Sequence, residues 1–596
     1  MSALQRLLLL AGLVVLAYAN SLQGSFHYDD FHSLLNNPHI RSLAQVGAFF
    51  TDPGQFSEDP GKAMYRPFLL VSYALNYAVG QYATLGYHLV NLALHLGCAL
   101  LVWRLGLQAG AGQRGAWAAA LLFALCPLAT EPVNYISSRS ESLAALGYLA
   151  GLSLFLDRRH WLALACFALA LGAKEMAITL PAALWLAERF ALRRPSRWQE
   201  HVPFWGMGLL YLGVLWSFGL IGRAHQSGTA PPRDLWIQLW TQAKAAPYYL
   251  KLVLMPVGLN VEHAFSEAAH PWHPAVWCSL LLVASLAWLG WRSWPRVWVI
   301  WLSLGVIALL PATLVPLNVL VNEHRLYLPL AFATLAAGSV WAQVRAYQKH
   351  GMVLLGLCIG LVFLRNQEWK NELSLWGVSV RRSPSMPRAH VQLGTALRHA
   401  GDRQGARREF EATLHLDPQH RAARTNLGNL YYEAAGTQTD TATARASYER
   451  AVAEYEQVLK LDPEYKDALN SLGSAYLRLG RVAEAVEVYQ RVVALSPHFP
   501  EGYYNLGLAL VRQSQYGPAI AAYQQALRLH PDAETWCSLG EALLLDGQQA
   551  QRQGAPDGGR RQWQEATGCF QQALTLEPGN TLAALRLRQL QQGGAR

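Results

Sequence analysis

Charge is scarce in this sequence. Only 15% of its 596 residues are Asp, Glu, Lys or Arg, against about 25% in ordinary soluble domains. With 52% hydrophobic residues, the chain does not read as one soluble body. Cysteine is scarce too: Cys98, Cys126, Cys166, Cys278, Cys358, Cys537 and Cys569 form no CxxC pair. That argues against a disulfide framework or a zinc site and leaves the thiols as small buried groups. The net charge of +10 is not gathered into a basic patch interleaved with aromatics. Many Lys and Arg sit at the ends of apolar runs instead, so nucleic acid is not an expected partner.

What is present falls into two halves. Residues 1–365 are apolar runs separated by short polar knots, and from Asn366 the chain turns polar. The expected organisation is a polytopic membrane domain over 1–365, a linker over 366–388 and a repeat array over 389–596. A spanning helix needs about 20 mostly apolar residues. Eleven spans are expected, near 4–20, 86–105, 115–131, 139–156, 160–173, 176–192, 203–221, 272–291, 296–316, 326–343 and 350–365. The first could instead be a signal peptide, with Arg6 before a short apolar core and Ala17-Tyr18-Ala19 after it. Segment 235–258 carries Lys244, Pro247 and Lys251 and reads as an interfacial helix.

Basic residues set the orientation. With the N-terminus inside, the inner loops hold Arg104 and Arg114, Arg158 and Arg159, then Arg189, Arg193, Arg194 and Arg197. Arg292, Arg296, Arg345 and Lys349 complete the set. Eleven spans then place everything after Asn366 outside, and one miscounted span reverses that.

The polar half repeats. Pro418, Pro463, Pro497, Pro531 and Pro578 each close a unit, and Pro463, Pro497 and Pro531 are 34 residues apart. This is the tetratricopeptide (TPR) period. Leu-Gly pairs end at Gly394, Gly428, Gly473, Gly507 and Gly540, and Ala406, Ala451, Ala485, Ala519 and Ala566 supply the small residue of each unit. Phe410, Tyr455, Tyr489, Tyr523 and Phe570 follow four residues later. Insertions at GTQTDTATARA and QQAQRQGAPDGG are expected as loops between helices. Stacked units form a superhelix with a groove that suits a peptide or protein.

Ionisable residues beside spans are costly and raise functional hypotheses. The expected outer-facing set is Asp29 and Asp30 after the first span, Arg66, His88, Glu131, Arg139, Glu141, Lys174, Glu175, Glu323, His324 and Arg325. His88, Asn91 and His95 share one helix face. Two carboxylates with a crown of cations suit transfer from a lipid-linked phosphosugar. A carboxylate takes the proton of an acceptor hydroxyl, help worth roughly 10²–10⁴-fold, and cations or a metal meet the charge growing on the leaving phosphate. Structural alternatives stand beside this reading: the acid pair as a helix cap, His88 and His95 as buried hydrogen-bonded rings, Arg139 and Lys174 as ion-pair partners of Glu141 and Glu175, and His27 and His32 as solvated loop residues.

FHYDDF, YRPF, GYHLVNLALH, AKEMAITLP and NEHRLYLP, in this order and followed by TPR units, resemble the transmembrane-and-TPR protein O-mannosyltransferases of the GT-C superfamily. The resemblance covers nearly the whole chain. It implies an all-α fold, a GT-C-like helical membrane domain followed by a TPR solenoid. It implies a polyprenyl-phosphate sugar as donor and a protein hydroxyl as acceptor, held by the repeats. It makes Asp29–Asp30 the acidic pair, with Asp29 as base, and turns Lys174 and Arg325 towards the lipid phosphate. Arg139 and His88 are expected beside that phosphate, with Arg66, Glu175, Glu323 and His324 in support. No metal ligand is assigned, and a divalent cation is left open. Short loops and abundant Ala, Leu and Arg suggest a bacterial inner-membrane protein with its active face outside. Two other functions remain open from sequence: a non-catalytic membrane-anchored scaffold and a transporter.

Overall fold

The computed structural model describes residues 2–58, 60–191, 195, 197–221, 233–316, 319–341, 348–554 and 556–593. Arg193, Arg194 and Arg345 of the expected inner loops lie outside the described residues. Among those described, the regular structure is helical, with no strand. The chain divides into two compact units, Met1–Ala389 and His390–Arg596.

In the first unit, each of the eleven apolar stretches falls on helix, but length and apolarity support fewer spans. Four helices among the described residues can cross a membrane by those criteria: Leu4–Gln23, Thr84–Gln108, Pro274–Arg292 and Val297–Leu314. A fifth arises if Gly112–Ala124 and Pro127–Asn134, bent by 54° at their break, count as one span. Other stretches fail these criteria for local reasons. His160–Leu171 has 12 residues. The stretch from Glu175 breaks into 3-10, α and π segments ending at Ala191. Arg139–Leu156 buries Arg139 and Glu141 in its first turn.

The core forms where Thr84–Gln108 packs on Gly112–Ala124, Arg139–Leu156 and Tyr327–Trp341. Small residues let these backbones approach. A side chain added at Gly106 would lie 2.9 Å from Ala116, and one at Gly338 would strike the Gly115 carbonyl. Leu235–Leu254 buries Gln238, Thr241, Gln242 and Ala245 and leaves Trp236 and Leu254 exposed, the two-faced character of an interfacial helix.

Residues 366–388 are not a linker in the structure. They continue Gln348–Glu368 and form a second helix, Glu372–Arg382, capped by Asn371 and Ser374. Trp369 and Trp376 are buried, so the segment belongs to the hydrophobic body of the first unit.

Among the described residues, the second unit, His390–Arg596, is five helix pairs with a closing helix, its first helix starting at Pro387 at the end of the first unit. The pairs are Pro387–His399 with Arg403–Leu416, Arg421–Gly436 with Thr441–Leu461, Lys466–Leu479 with Val482–Leu495, Pro500–Arg512 with Tyr516–Leu529, and Ala533–Arg552 with Pro556–Leu576. Thr581–Gly593 follows. Each Leu-Gly glycine faces the aromatic of its own pair. A side chain there would lie 2.6 Å from the ring at Gly394, Gly428 and Gly473, and 2.7 Å at Gly507 and Gly540. The two insertions do not form long loops. They extend helices, giving 20 and 21 residues in the fifth pair against 14 and 14 in the third. Their Gln, Ala and Arg residues favour helix.

Gly473→Ala should place a methyl against Tyr489 and overpack the third pair by about 1–3 kcal/mol. The expected result is a lower thermal midpoint followed by far-UV circular dichroism; an unchanged midpoint contradicts the close packing.

Candidate active site

The loop after the first helix makes a tight turn directly after residue 26. The Asp30 N–H donates to the His27 carbonyl at 2.7 Å, and Tyr28 adopts a left-handed φ of 37°. Such a backbone is costly for a residue with a side chain and persists only where its surroundings impose it. Here they do. Asp30 is fully buried. One of its oxygens accepts the His27 N–H at 2.8 Å. The other accepts the Ser137 N–H at 2.7 Å and the Ser137 hydroxyl at 2.5 Å. Burial pushes the Asp30 carboxyl up to about 6 against these bonds.

Asp29 differs from its neighbour in every respect. Its side chain is 47% exposed, with one oxygen 3.5 Å from His32 Nε2. Its backbone N–H donates to the Tyr135 hydroxyl at 3.0 Å. Burial acts to raise its carboxyl, but the His32 hydrogen bond and charge, with Tyr135 and Arg388, outweigh it and hold it below the usual range. The turn thus spends one acid on architecture and presents the other.

His27 and His32 are not simply solvated. His27 is fully buried, with ring nitrogens 2.8 Å from Glu372 Oε1 and 2.9 Å from the Trp369 carbonyl. Trp369 stacks on Tyr135 at 5.7 Å. The Tyr28 N–H donates to Glu372 at 3.3 Å. The segment expected as a linker therefore clamps the acidic turn. Its sequence signal was two tryptophans seven residues apart, flanking an Asn cap.

Residues 131–141 join this turn to the cations. Tyr135 and Ser137 hold the acids. One helical turn earlier, Glu131 bonds His324 Nδ1 at 2.7 Å. One turn later, Glu141 takes Lys174 at 2.5 Å and lies 3.7 Å from His324 Nε2. Burial, with the Lys174 charge, pushes His324 down to about 3, so a neutral ring sits between the two glutamates. Arg66 pairs with Glu175 at 3.3 Å. Arg325 donates to the carbonyls of Val319, at 2.7 Å, and Leu320, at 3.2 Å, and no carboxylate partner for it is found among the described residues. Residues 131–141 thus link the acidic turn to His324 and Lys174.

Two expected phosphate ligands are elsewhere engaged. Arg139 is sealed inside the protein. It donates to Asn91 Oδ1 and Asn76 Oδ1, both at 2.7 Å, to the Tyr87 carbonyl at 2.9 Å and to Ser72 at 3.3 Å. Tyr73 and Tyr87 flank its guanidinium. It pairs with neither Glu141 nor a phosphate-facing surface. His88 is also buried and bonds the Gly24 carbonyl at 3.1 Å. Both are structural because neutral oxygens from neighbouring helices use their donors. Glu323, fully buried, binds Arg365 at 3.3 Å and His263 at 3.1 Å and accepts the Asn260 N–H. Among the described residues no group of three or more His, Cys, Asp or Glu side chains is placed to hold a metal ion.

Comparison with known proteins bears on both units. Tetratricopeptide-repeat models match residues 391–444, 437–498 and 500–532. Protein O-mannosyl-transferase F38B6.6 of Caenorhabditis elegans is 26% identical over 440 residues, 70% of this chain and 63% of the relative. Protein O-mannosyl-transferase TMTC4 of Mus musculus is 24% identical over 473 residues, 66% of this chain and 64% of the relative. The chain is similar to these protein O-mannosyl-transferases over about two thirds of its length. It spans just under two thirds of the length of these two curated relatives. Among solved structures, a MamA protein matches with a TM-score of 0.26 and 24% identity, over 32% of this chain and 92% of that one.

Asp30→Asn should turn one buried acceptor into a donor facing N–H groups. The expected cost is about 1–3 kcal/mol, read as a lower thermal midpoint in detergent and faster proteolysis of the first loop. Asp29→Asn, at a half-exposed site, should cost less than about 1 kcal/mol. Equal losses would contradict the division of labour between the two acids.

Proposed function

We propose that the first unit is a membrane glycosyltransferase that moves a mannose-like hexose from a polyprenyl phosphate to a Ser or Thr hydroxyl. The observation that carries this reading is the half-exposed Asp29 carboxylate beside buried Asp30, on a turn that Tyr135 and Ser137 tie to the segment whose Glu141 pairs with Lys174. The relatives named as protein O-mannosyl-transferases support it.

Asp29 takes the proton as the acceptor oxygen attacks the anomeric carbon. The bond from that carbon to the phosphate oxygen breaks, and its electron pair leaves with the lipid phosphate. Arg325, unneutralised by a carboxylate among the described residues, meets the charge that develops there, and Lys174 adds a share beyond Glu141. Fixed donors aimed at developing charge are worth about 10²–10³ in rate. Apolar helices around the site suit a donor whose tail stays in the bilayer. The active face is placed outside the cytoplasm, in a bacterial inner membrane, and GT-C architecture fits this donor class. The repeats hold the acceptor protein.

Asp29→Asn should abolish transfer from a polyprenyl-phosphate sugar, and Arg325→Gln should cut it about 10²-fold. A carboxyl held below its ordinary value is already ionised at neutral pH. Activity should therefore stay level on mild acidification and fall only below about pH 4; an acid limb near pH 6 argues against Asp29. The same depression makes ionised Asp29 stabilising above its unfolded value, a contribution lost as the pH falls through the folded one.

Removing residues 390–596 should reduce transfer to a protein acceptor more than to a short hydroxyl acceptor. Equal loss in both assays contradicts acceptor binding by the repeats.

A further inference from the structure

The far end of the first unit supplies one more charged group at the acidic turn. Arg388 lies with its guanidinium 4.9 Å from the Tyr28 ring centroid, and its Nη1 is 3.3 Å from Glu262 Oε2. Tyr28 is the residue whose left-handed backbone presents Asp29. We propose that Arg388 is a positioning residue for Asp29, a fixed positive charge that braces the turn and faces the base. The assignment rests on Asp29 as the base of the proposed transfer.

The groups around Asp29 single out this arginine. His32 approaches from the same turn at 3.5 Å. Tyr135 approaches from the 131–141 segment through a hydroxyl, and Tyr28 through a ring. The nearby acids are already engaged: Asp30 by His27 and Ser137, Glu372 by His27 and Trp376, Glu262 by Arg388 itself. Two basic side chains remain, His32 and Arg388, and a guanidinium keeps its charge across the working range of pH. Arg388 also acts electrostatically on Asp29 in the direction that favours the ionised carboxylate. Its guanidinium lies over the Tyr28 ring.

A bland alternative exists: Arg388 could only tether its own helix to Glu262. The two roles separate when the pair is cut from each side. Glu262→Gln removes the ion pair and keeps the positive charge, whereas Arg388→Gln removes both. The experiment uses the full chain in nanodiscs, with carbodiimide labelling of Asp29 followed by mass spectrometry across pH. This reagent takes the protonated carboxyl, so the midpoint reports the charge state of Asp29 without any sugar donor.

Arg388→Gln should move the midpoint up by roughly one pH unit, and the acid limb of transfer should move with it. Arg388→Lys should return the midpoint towards the wild-type value, and Glu262→Gln should leave it in place or lower it. An unmoved midpoint in Arg388→Gln overturns the assignment. So does an upward shift in Glu262→Gln equal to that of Arg388→Gln. If Arg388→Gln does not fold, Arg388→Lys carries the test, because a midpoint shifted upward by the charge-retaining variant also overturns it. Shifted labelling in a protein that transfers no sugar supports the Arg388 assignment while removing the transferase reading.

Discussion

The buried Asp30 carboxylate holds the first unit's chemistry together. It takes the His27 N–H within its own turn and the N–H and hydroxyl of Ser137 from the segment before Arg139–Leu156. A carboxylate taken out of water is costly unless donors replace the water. Three donors do so here, and they come from two distant parts of the chain. One bond set therefore fixes the strained Tyr28 backbone, turns Asp29 outward and ties the first loop to residues 131–141. Lys174 and His324 are held on that same segment.

Other charges in the first unit follow the same rule. Glu141 is shared by Lys174 and His324, Glu323 by Arg365 and His263, and Glu368 by Arg365 and Arg382. Breaking one partner of a buried pair leaves an uncompensated charge, so these links brace helices that are apart in sequence. Among the described residues, Arg325 differs in that backbone carbonyls, of Val319 and Leu320, position its guanidinium and no ion-pair partner is found.

The repeat unit achieves its order by packing. A glycine in each first helix lets an aromatic of the second lie against its backbone, five times over. Each pair needs its neighbour to bury the faces left open, which makes the array nearly one-dimensional. This regularity made the repeats readable from the sequence. The insertions were misread as loops because spacing gives the extra length, not its conformation; Ala, Gln and Arg then continued the helices.

The sequence by itself determined the helical class, the change from apolar to polar halves and the repeat positions. Hydrophobic runs and a 34-residue period are local signals, and local signals survive without coordinates. Tertiary structure decided which ionisable residues are available. Arg139 and His88 looked like ligands in one dimension and are sealed by Asn76, Asn91, Tyr87 and Gly24 in three. Asp29 and Asp30 are adjacent in sequence, yet one is exposed and the other buried. Residues 366–388 looked like a connector and became the clamp of the acidic turn. Burial and partner geometry come from contacts between segments hundreds of residues apart, and no spacing along the chain encodes them.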